Sequence, residues 1–212
     1  TNNMSVYLKE NFQKIVDFCA ICVVFFIPIS AALPNLFIIP FSLVVLICFK
    51  QYVIVRPAYL IAIISSVFFI LIESIVKNNF IDDLAINSRL LLLLLIIILF
   101  TQVKNIYKIE HALILSTFIA ITGSFVAIIE QILLSPNFLL DNGAVINDLL
   151  WLERPYFGFI LTLCIFICFK NAQKKPKTRI WYFSTIILFV CFSIYISARL
   201  SILLNIILIF TF

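Results

Sequence analysis

Glycine is scarce in this chain, with only three residues in 212. The sequence contains no glycine-rich loop of the kind that holds phosphates, and no dinucleotide fingerprint, serine nucleophile elbow or zinc motif. Charged residues are also few, at 12%, about half the share found in a soluble domain. We therefore expect no ATP-driven or metal-dependent reaction, and neither a metal nor a cofactor.

Apolar residues dominate what is present. They make up 64% of the chain, and the mean hydropathy is +1.21. Runs such as 90–100 lack the alternation of apolar and polar residues that membrane barrel strands require. The net charge of +5 does not indicate nucleic-acid binding, because the basic residues flank apolar spans. The composition predicts an all-α, polytopic integral membrane protein.

The apolar runs predict about eight transmembrane helices in one helical membrane domain that covers residues 1–212. Only thirteen residues follow Arg199, about 20 Å of helix, so we expect the last span to continue beyond residue 212. The apolar-acidic stretch 145–153 predicts a short helix on the outer leaflet. The predicted spans are 15–32, 36–49, 58–76, 88–103, 111–134, 155–169, 180–196 and 200 onward.

Basic residues are distributed unevenly about these spans. Eleven fall in segments on the side of the amino terminus, and four fall on the other side: Lys77, Arg89, Arg154 and Arg199. Loops rich in Lys and Arg stay in the cytoplasm, so the amino terminus is predicted to be cytoplasmic. Tyrosines and both tryptophans stand near predicted span ends, as in an aromatic belt.

All six cysteines lie inside apolar spans. Cys19 and Cys22 form a CxxC pair, which in soluble proteins can indicate metal or redox chemistry. No second pair or nearby histidine accompanies it, so we interpret the cysteines as small apolar fillers. His111, the only histidine, stands beside Glu110 at the inner end of its span and is expected to be structural.

Three arginines open helices that start at the outer face. Arg89, Arg154 and Arg199 each fall in the first turn of such a helix, where unpaired N–H groups already favour anions. A guanidinium matches phosphate oxygens in a bidentate way. The pattern indicates an anion site outside the cytoplasm, although each arginine could instead reach lipid headgroups or pair with an acid such as Asp83 or Glu153.

Other polar residues on that side are expected to support the site. Pro155 suits the start of its helix, and Ser197 could cap the last helix. Glu130 and Glu73 lie within apolar spans near the outer end, where an unpaired charge is costly. We expect these two acids to pair with the outer arginines or to line a wet cavity.

Two segments carry a family resemblance. Glu153-Arg154-Pro155-Tyr156-Phe157-Gly158-Phe159 and Ser197-Ala198-Arg199-Leu200-Ser201 resemble segments of bacterial O-antigen ligases and of O-antigen and exopolysaccharide polymerases. The resemblance covers roughly residues 83–212, and Ala198 separates a serine and an arginine that are often adjacent in that family. It implies a diphosphate-binding role for Arg154 and Arg199, and Arg89 is added from its position at a helix start.

The resemblance implies a metal-independent membrane glycosyltransferase. Its donor would be an undecaprenyl-diphosphate-linked oligosaccharide, its acceptor a glycan or lipid, and its active site would face the periplasm or the outside of the bacterial inner membrane. The catalytic histidine of the family lies on a later outer loop, expected beyond residue 212, so no catalytic residue is identified here. Two alternatives stay open: a transporter or flippase of an anionic solute or lipid, and a non-catalytic membrane anchor or sensor module.

Overall fold

The described part of the chain is helical. A computed structural model describes residues 2–30, 33–47, 95–134 and 149–196, with single helical positions at 65, 68, 69 and 72. No strand occurs in these ranges, which confirms the all-α prediction for them. The helices are α1 (Asn2–Phe26), α2 (Leu33–Ile47), a helical segment over 95–100, α3 (Ile106–Leu134), α4 (Arg154–Lys174), a 3-10 turn (Pro176–Thr178) and α5 (Arg179–Tyr195).

Three of the described helices are long and apolar enough to cross a membrane by length and composition: Ile106–Leu134, Arg154–Lys174 and Pro176–Tyr195. They match the predicted spans 111–134, 155–169 and 180–196 in position, but the first begins five residues earlier and the second ends five residues later than predicted. One face of α3 also exposes large apolar side chains along its length, including Leu115, Val126, Ile129 and Leu133. Such a stripe suits contact with lipid. The predicted span 58–76 lies largely outside the described residues, and the span from 200 onward lies wholly outside them. Of the predicted span 88–103, residues 88–94 lie outside, and 95–100 are helical.

The first helix differs from its predicted span. We predicted 15–32, whereas α1 covers Asn2–Phe26 and a turn follows at 27–29. Lys, Glu and Gln are good helix formers, so the charged start extends the helix although it does not belong to the apolar run. The following helix, α2, has 15 residues and is about 22 Å long, shorter than a bilayer core of about 30 Å. The number of eight spans stays a prediction.

The chain divides into two compact units, Thr1–Ala20 with Leu36–Ile106, and Ile21–Asn35 with Tyr107–Phe212. In the first unit, Asp17 of α1 accepts hydrogen bonds from Gln13 Nε2 at 3.0 Å and from the backbone N–H of Lys104 at 3.1 Å. Gln13 also donates to the carbonyl of Gln102 at 3.1 Å. These bonds provide partners for backbone groups of residues 102 and 104. Those residues follow the helical segment 95–100, so the helix itself supplies no partners for them.

Two stripes of α3 organise the second unit. Glu110, Thr117 and Ser124, spaced by seven residues, contact α4 or the segment just before it. Each next residue, His111, Phe118 and Phe125, contacts a ring of α5. Because seven residues are nearly two helical turns, each stripe runs straight along the helix. The pairings make α3 antiparallel to α4 and parallel to α5.

Small residues allow this close packing. Ala112, Ser116, Ala120 and Ser124 repeat every four residues along α3, and all are buried. Small side chains at four-residue spacing let helices approach closely in membranes, where packing rather than hydrophobic burial drives association. The buried residues of α4 include Gly158, Cys164, Cys168 and Ala172.

Candidate functional site

The start of α4 holds the one predicted arginine that the structure describes. Arg154 is the first residue of α4 and is half-buried, with Pro155 next in the helix. Glu153 is the N-cap residue and is exposed; its side chain makes no capping hydrogen bond, while its carbonyl accepts from the N–H of Phe157 at 2.9 Å. The predicted helix start is thus correct to within one residue. The first turn of α4 presents a guanidinium beside backbone N–H groups that no side-chain cap occupies.

The residues just before Arg154 are anchored on α3. Leu150 is buried, and the backbone N–H of Trp151 donates to the hydroxyl of Ser124 at 3.3 Å. The indole ring of Trp151 lies directly against Gly123, where a Cβ would overlap the ring. Gly123 is therefore a glycine because of this close approach. We predicted a short helix on the outer leaflet over 145–153. Residue 149 is helical, residues 150–152 form bends that pack on α3, and 145–148 lie outside the described residues.

An apolar groove begins beside these residues. It has a volume of about 490 Å³, within the range of about 300–1,000 Å³ typical of ligand sites. Leu152 and Tyr156, which flank Arg154 in the chain, line one end, and Glu110 and Ile167 line the other. From Tyr156 to Ile167 the wall rises about 16 Å along α4, about half of a bilayer core. Tyr156 and Phe159 in this wall remain exposed, so the groove opens to the surroundings of the helix.

The remaining predicted site residues are not brought together by the described structure. Arg89, Ser197 and Arg199 lie outside the described residues, as does Glu73. Glu130 is exposed on α3, near the same end of the bundle as Arg154 because α3 and α4 are antiparallel. Its pairing with an arginine stays a prediction.

The opposite end of the bundle contains a polar cluster that the sequence did not reveal. Glu110 of α3 is buried, pairs with the ammonium of Lys170, and accepts a hydrogen bond from the side-chain amide of Asn171 at 3.2 Å. Asn171 is itself buried. The predicted spans 111–134 and 155–169 leave Glu110 and Lys170 just beyond their ends. Glu110 and Lys170 are 60 residues apart in the sequence, so no local sequence pattern could have indicated that they pair.

Aromatic rings surround His111 next to this cluster. Its ring centroid lies 4.0 Å from that of Tyr107 and 6.4 Å from that of Tyr182, the latter nearly parallel. The ammonium of Lys175 stands 3.7 Å from the centroid of Tyr107, as a cation–π contact. These contacts link the starts of α3 and α5 and agree with the expected structural role of His111.

Charge separates the two ends of this bundle. At the end with Glu110, the second unit carries six described basic residues: Lys108, Lys170, Lys174, Lys175, Lys177 and Arg179. At the other end, Arg154 stands with the two acids Glu130 and Glu153. The asymmetry has the sign expected if the first end faces the cytoplasm.

The cysteines occupy different environments. Cys19, Cys164 and Cys168 are buried, and the thiol of Cys164 lies 3.4 Å from the hydroxyl of Thr117 on α3. Cys22 is half-buried and Cys191 is exposed. Among the described residues, no group of three or more His, Cys, Asp or Glu side chains could hold a metal ion.

Comparisons with known proteins found no family model, curated protein or solved structure that matches this chain.

Replacing Glu110 tests the polar cluster. In Glu110→Ala, Lys170 loses its counterion and the buried amide of Asn171 loses its acceptor. We expect the free energy of unfolding in detergent to fall by about 1–3 kcal/mol. The loss is smaller than for a fully buried pair because the Lys170 side chain is 37% exposed. Denaturant titration measures it.

Lys170→Met in the Glu110→Ala protein should recover part of the loss, since it removes the unpaired cation. Lys174→Met, at an exposed lysine one turn further along, is the matched control and should change little. A Glu110→Ala protein as stable as the control would show that the cluster does not stabilise the helix pair.

Gly123→Ala tests the contact of Trp151 with α3. The added methyl needs the space of the indole, so we expect Trp151 to move into a more accessible position. Gly→Ala within a helix usually raises the stability by about 0.5–1 kcal/mol. We expect no such increase here, because displacing the indole offsets it. With Trp181→Phe, Trp151 is the only tryptophan of the chain, and its quenching by acrylamide should increase.

Thr122→Ala is the matched control for this substitution, because Thr122 is the exposed neighbour of Gly123 and its hydroxyl bonds only within α3, to the carbonyl of Phe118 at 2.9 Å. Equal quenching in the Gly123→Ala and Thr122→Ala proteins would contradict the contact.

Proposed function

We propose that this protein is a membrane glycosyltransferase that transfers or polymerises a glycan from an undecaprenyl-diphosphate donor. The observation that carries the proposal is the position of Arg154, at the start of α4, between the two residues that line one end of the apolar groove. A lipid diphosphate has the same two parts, a charged group and an apolar chain joined end to end.

The groove suits the lipid part of such a donor. Apart from Glu110, the side chains that line it are apolar or aromatic, and Glu110 is already paired with Lys170 at the far end. The groove is too small for a whole polyprenyl chain. It would hold the portion next to the diphosphate, while the rest lies in the bilayer. The exposed wall of Tyr156 and Phe159 permits entry from the side.

Arg154 suits the diphosphate. Glycosyl transfer breaks the bond between the sugar carbon and the diphosphate oxygen, and the departing diphosphate gains negative charge. A guanidinium and the N–H groups of a helix start can stabilise that charge without a metal. The acceptor hydroxyl must lose a proton to a base, for which the resemblance implies a histidine on a later outer loop.

The end of α5 lies beside the start of α4. Phe192 of α5 contacts Phe157 of α4, with ring centroids 5.3 Å apart, and Phe157 is three residues after Arg154. Ile196, which follows α5, is buried at this same end of the bundle. Arg199 comes three residues later in the sequence. We propose that Arg199 joins Arg154 at the diphosphate, with Arg89, Ser197, Glu130 and Glu153 as supporting residues.

Arg154→Ala should lower surface-glycan assembly by about tenfold or more, since a hydrogen bond to a charged group contributes about 1.5–3 kcal/mol. Arg199→Ala should act in the same direction. Arg154→Lys should retain part of the activity, because it keeps the charge and loses the bidentate geometry. The assay is glycan chain formation in cells whose only copy is the full-length variant, with membrane protein level measured in parallel.

Arg56→Ala is the matched control, because Arg56 falls between the predicted spans 36–49 and 58–76, in a loop predicted to lie on the cytoplasmic side of the membrane. Normal glycan with normal levels of the Arg154→Ala and Arg199→Ala proteins would contradict the diphosphate site. If the purified full-length protein, reconstituted in vesicles, moves an anionic lipid across the bilayer and transfers no sugar, the transporter alternative holds.

Leu163→Trp tests the groove separately. Leu163 lines the middle of the groove and is 40% exposed, so an indole there should fill space that the polyprenyl chain needs. We expect weaker saturation by the lipid donor, seen as a raised KM with a smaller change in kcat. Leu188→Trp on α5, at 41% exposure and outside the groove lining, is the matched control. Equal KM values for the two variants would show that the lipid donor does not bind in the groove.

A further inference from the structure

The connection between α4 and α5 concentrates positive charge. Lys174, Lys175, Lys177 and Arg179 fall within six residues around the 3-10 turn, and all four are exposed. The sequence contains no acidic residue after Glu153. In the second unit, the one described acid at this end is Glu110, which Lys170 already engages. The charge of this connection is therefore not balanced by nearby carboxylates of that unit.

The connection has a defined shape. The N–H of Lys175 donates to the carbonyl of Asn171 at 3.0 Å, and the N–H of Thr178 donates to the carbonyl of Lys175 at 3.2 Å. Lys175 lies over the ring of Tyr107, and the guanidinium of Arg179 stands 5.3 Å from the ring centroid of Phe183. Rings of α3 and α5 thus hold two of the four cations in place, which lowers the entropy lost on binding an anion.

Two large apolar side chains follow the cations directly. Ile180 and Trp181 are each 74% exposed. Trp at this level of a membrane helix suits the boundary between headgroups and acyl chains, where one end of the ring is apolar and the other is hydrated. A soluble polyanion would leave both side chains in water. A phospholipid would contact the cations with its phosphate and these side chains with its glycerol and upper acyl region.

We propose that the basic turn, defined as Lys174, Lys175, Lys177 and Arg179 with Ile180 and Trp181, binds anionic phospholipid headgroups of the adjacent leaflet. Charge complementarity and the adjoining apolar pair favour this occupant over free phosphate. The proposal is independent of the glycosyltransferase assignment, since the basic turn lies at the opposite end of the bundle from Arg154.

The two tryptophans provide a test with an internal control. Trp151→Phe leaves Trp181 as the only tryptophan, beside the basic turn, and Trp181→Phe leaves only Trp151, at the other end. The full-length variants are reconstituted in phosphatidylcholine bilayers that contain brominated phosphatidylglycerol or brominated phosphatidylcholine, which quench nearby tryptophans. Elution volume and melting midpoint show whether each variant is folded.

We expect Trp181 to prefer the anionic lipid by about fivefold or more at low ionic strength, because a cation near the surface contributes about 1 kcal/mol. High salt should reduce the preference. Lys174→Gln with Lys177→Gln should lower it several-fold. The matched control is Lys14→Gln with Lys104→Gln, the same change of charge at two exposed lysines of the first unit. Trp151 should show little preference.

Three results would overturn the proposal. The first is an equal preference at Trp181 and Trp151. The second is a preference at Trp181 that survives the Lys174 and Lys177 substitutions unchanged. The third is loss of the preference in millimolar inorganic phosphate at constant ionic strength, which would identify free phosphate as the ligand.

Discussion

The contact between α3 and α4 is the constraint on which the second unit depends. It consists of polar contacts spaced by seven residues along α3: Glu110 with Lys170 and Asn171, Thr117 with Cys164, and Ser124 with the backbone of Trp151. In a membrane, lipid tails are as apolar as the side chains, so burial of Leu or Ile does not by itself select a partner helix. Specific polar pairs and small side chains do select a partner helix, because only one register of the two helices brings all of these pairs into contact.

This register also determines where the candidate site lies. Ser124 and Gly123 position residues 150–152, and these lead directly to Arg154. Leu152 lines one end of the groove, and Glu110 lines the other. The charged group proposed for donor binding and the apolar space proposed for its lipid are therefore positioned by one helix interface. A change at that interface would alter both.

The sequence predicted the helices better than their contacts. The long apolar runs predicted the positions of α3, α4 and α5, and Pro155 marks the start of α4 because proline is tolerated in a first turn. The polar ends were not predicted: α3 begins at Ile106 and not at 111, and α4 ends at Lys174 and not at 169. The exposed apolar stripe of α3 could also be predicted, because a helix with so many apolar residues carries them on every face. Contacts such as Glu110 with Lys170 could not be predicted, since they join residues 60 apart and depend on register. The role of Asp17 could not be predicted for the same reason: its partner, the N–H of Lys104, lies 87 residues away. Of the predicted site, the structure describes Arg154, Glu130 and Glu153, and their proposed function rests on the resemblance and on the groove.

The adjacent stripes of α3 have a consequence for how this chain can vary in length. Inserting one residue within α3 would rotate everything after it by about 100°, which would turn both stripes away from their partners at once. Inserting seven residues would nearly restore the facing direction but would leave the added turns without opposite residues on α4 and α5. Changes of chain length in related sequences should therefore be excluded from 110–125 and should accumulate in the connection that precedes residue 149.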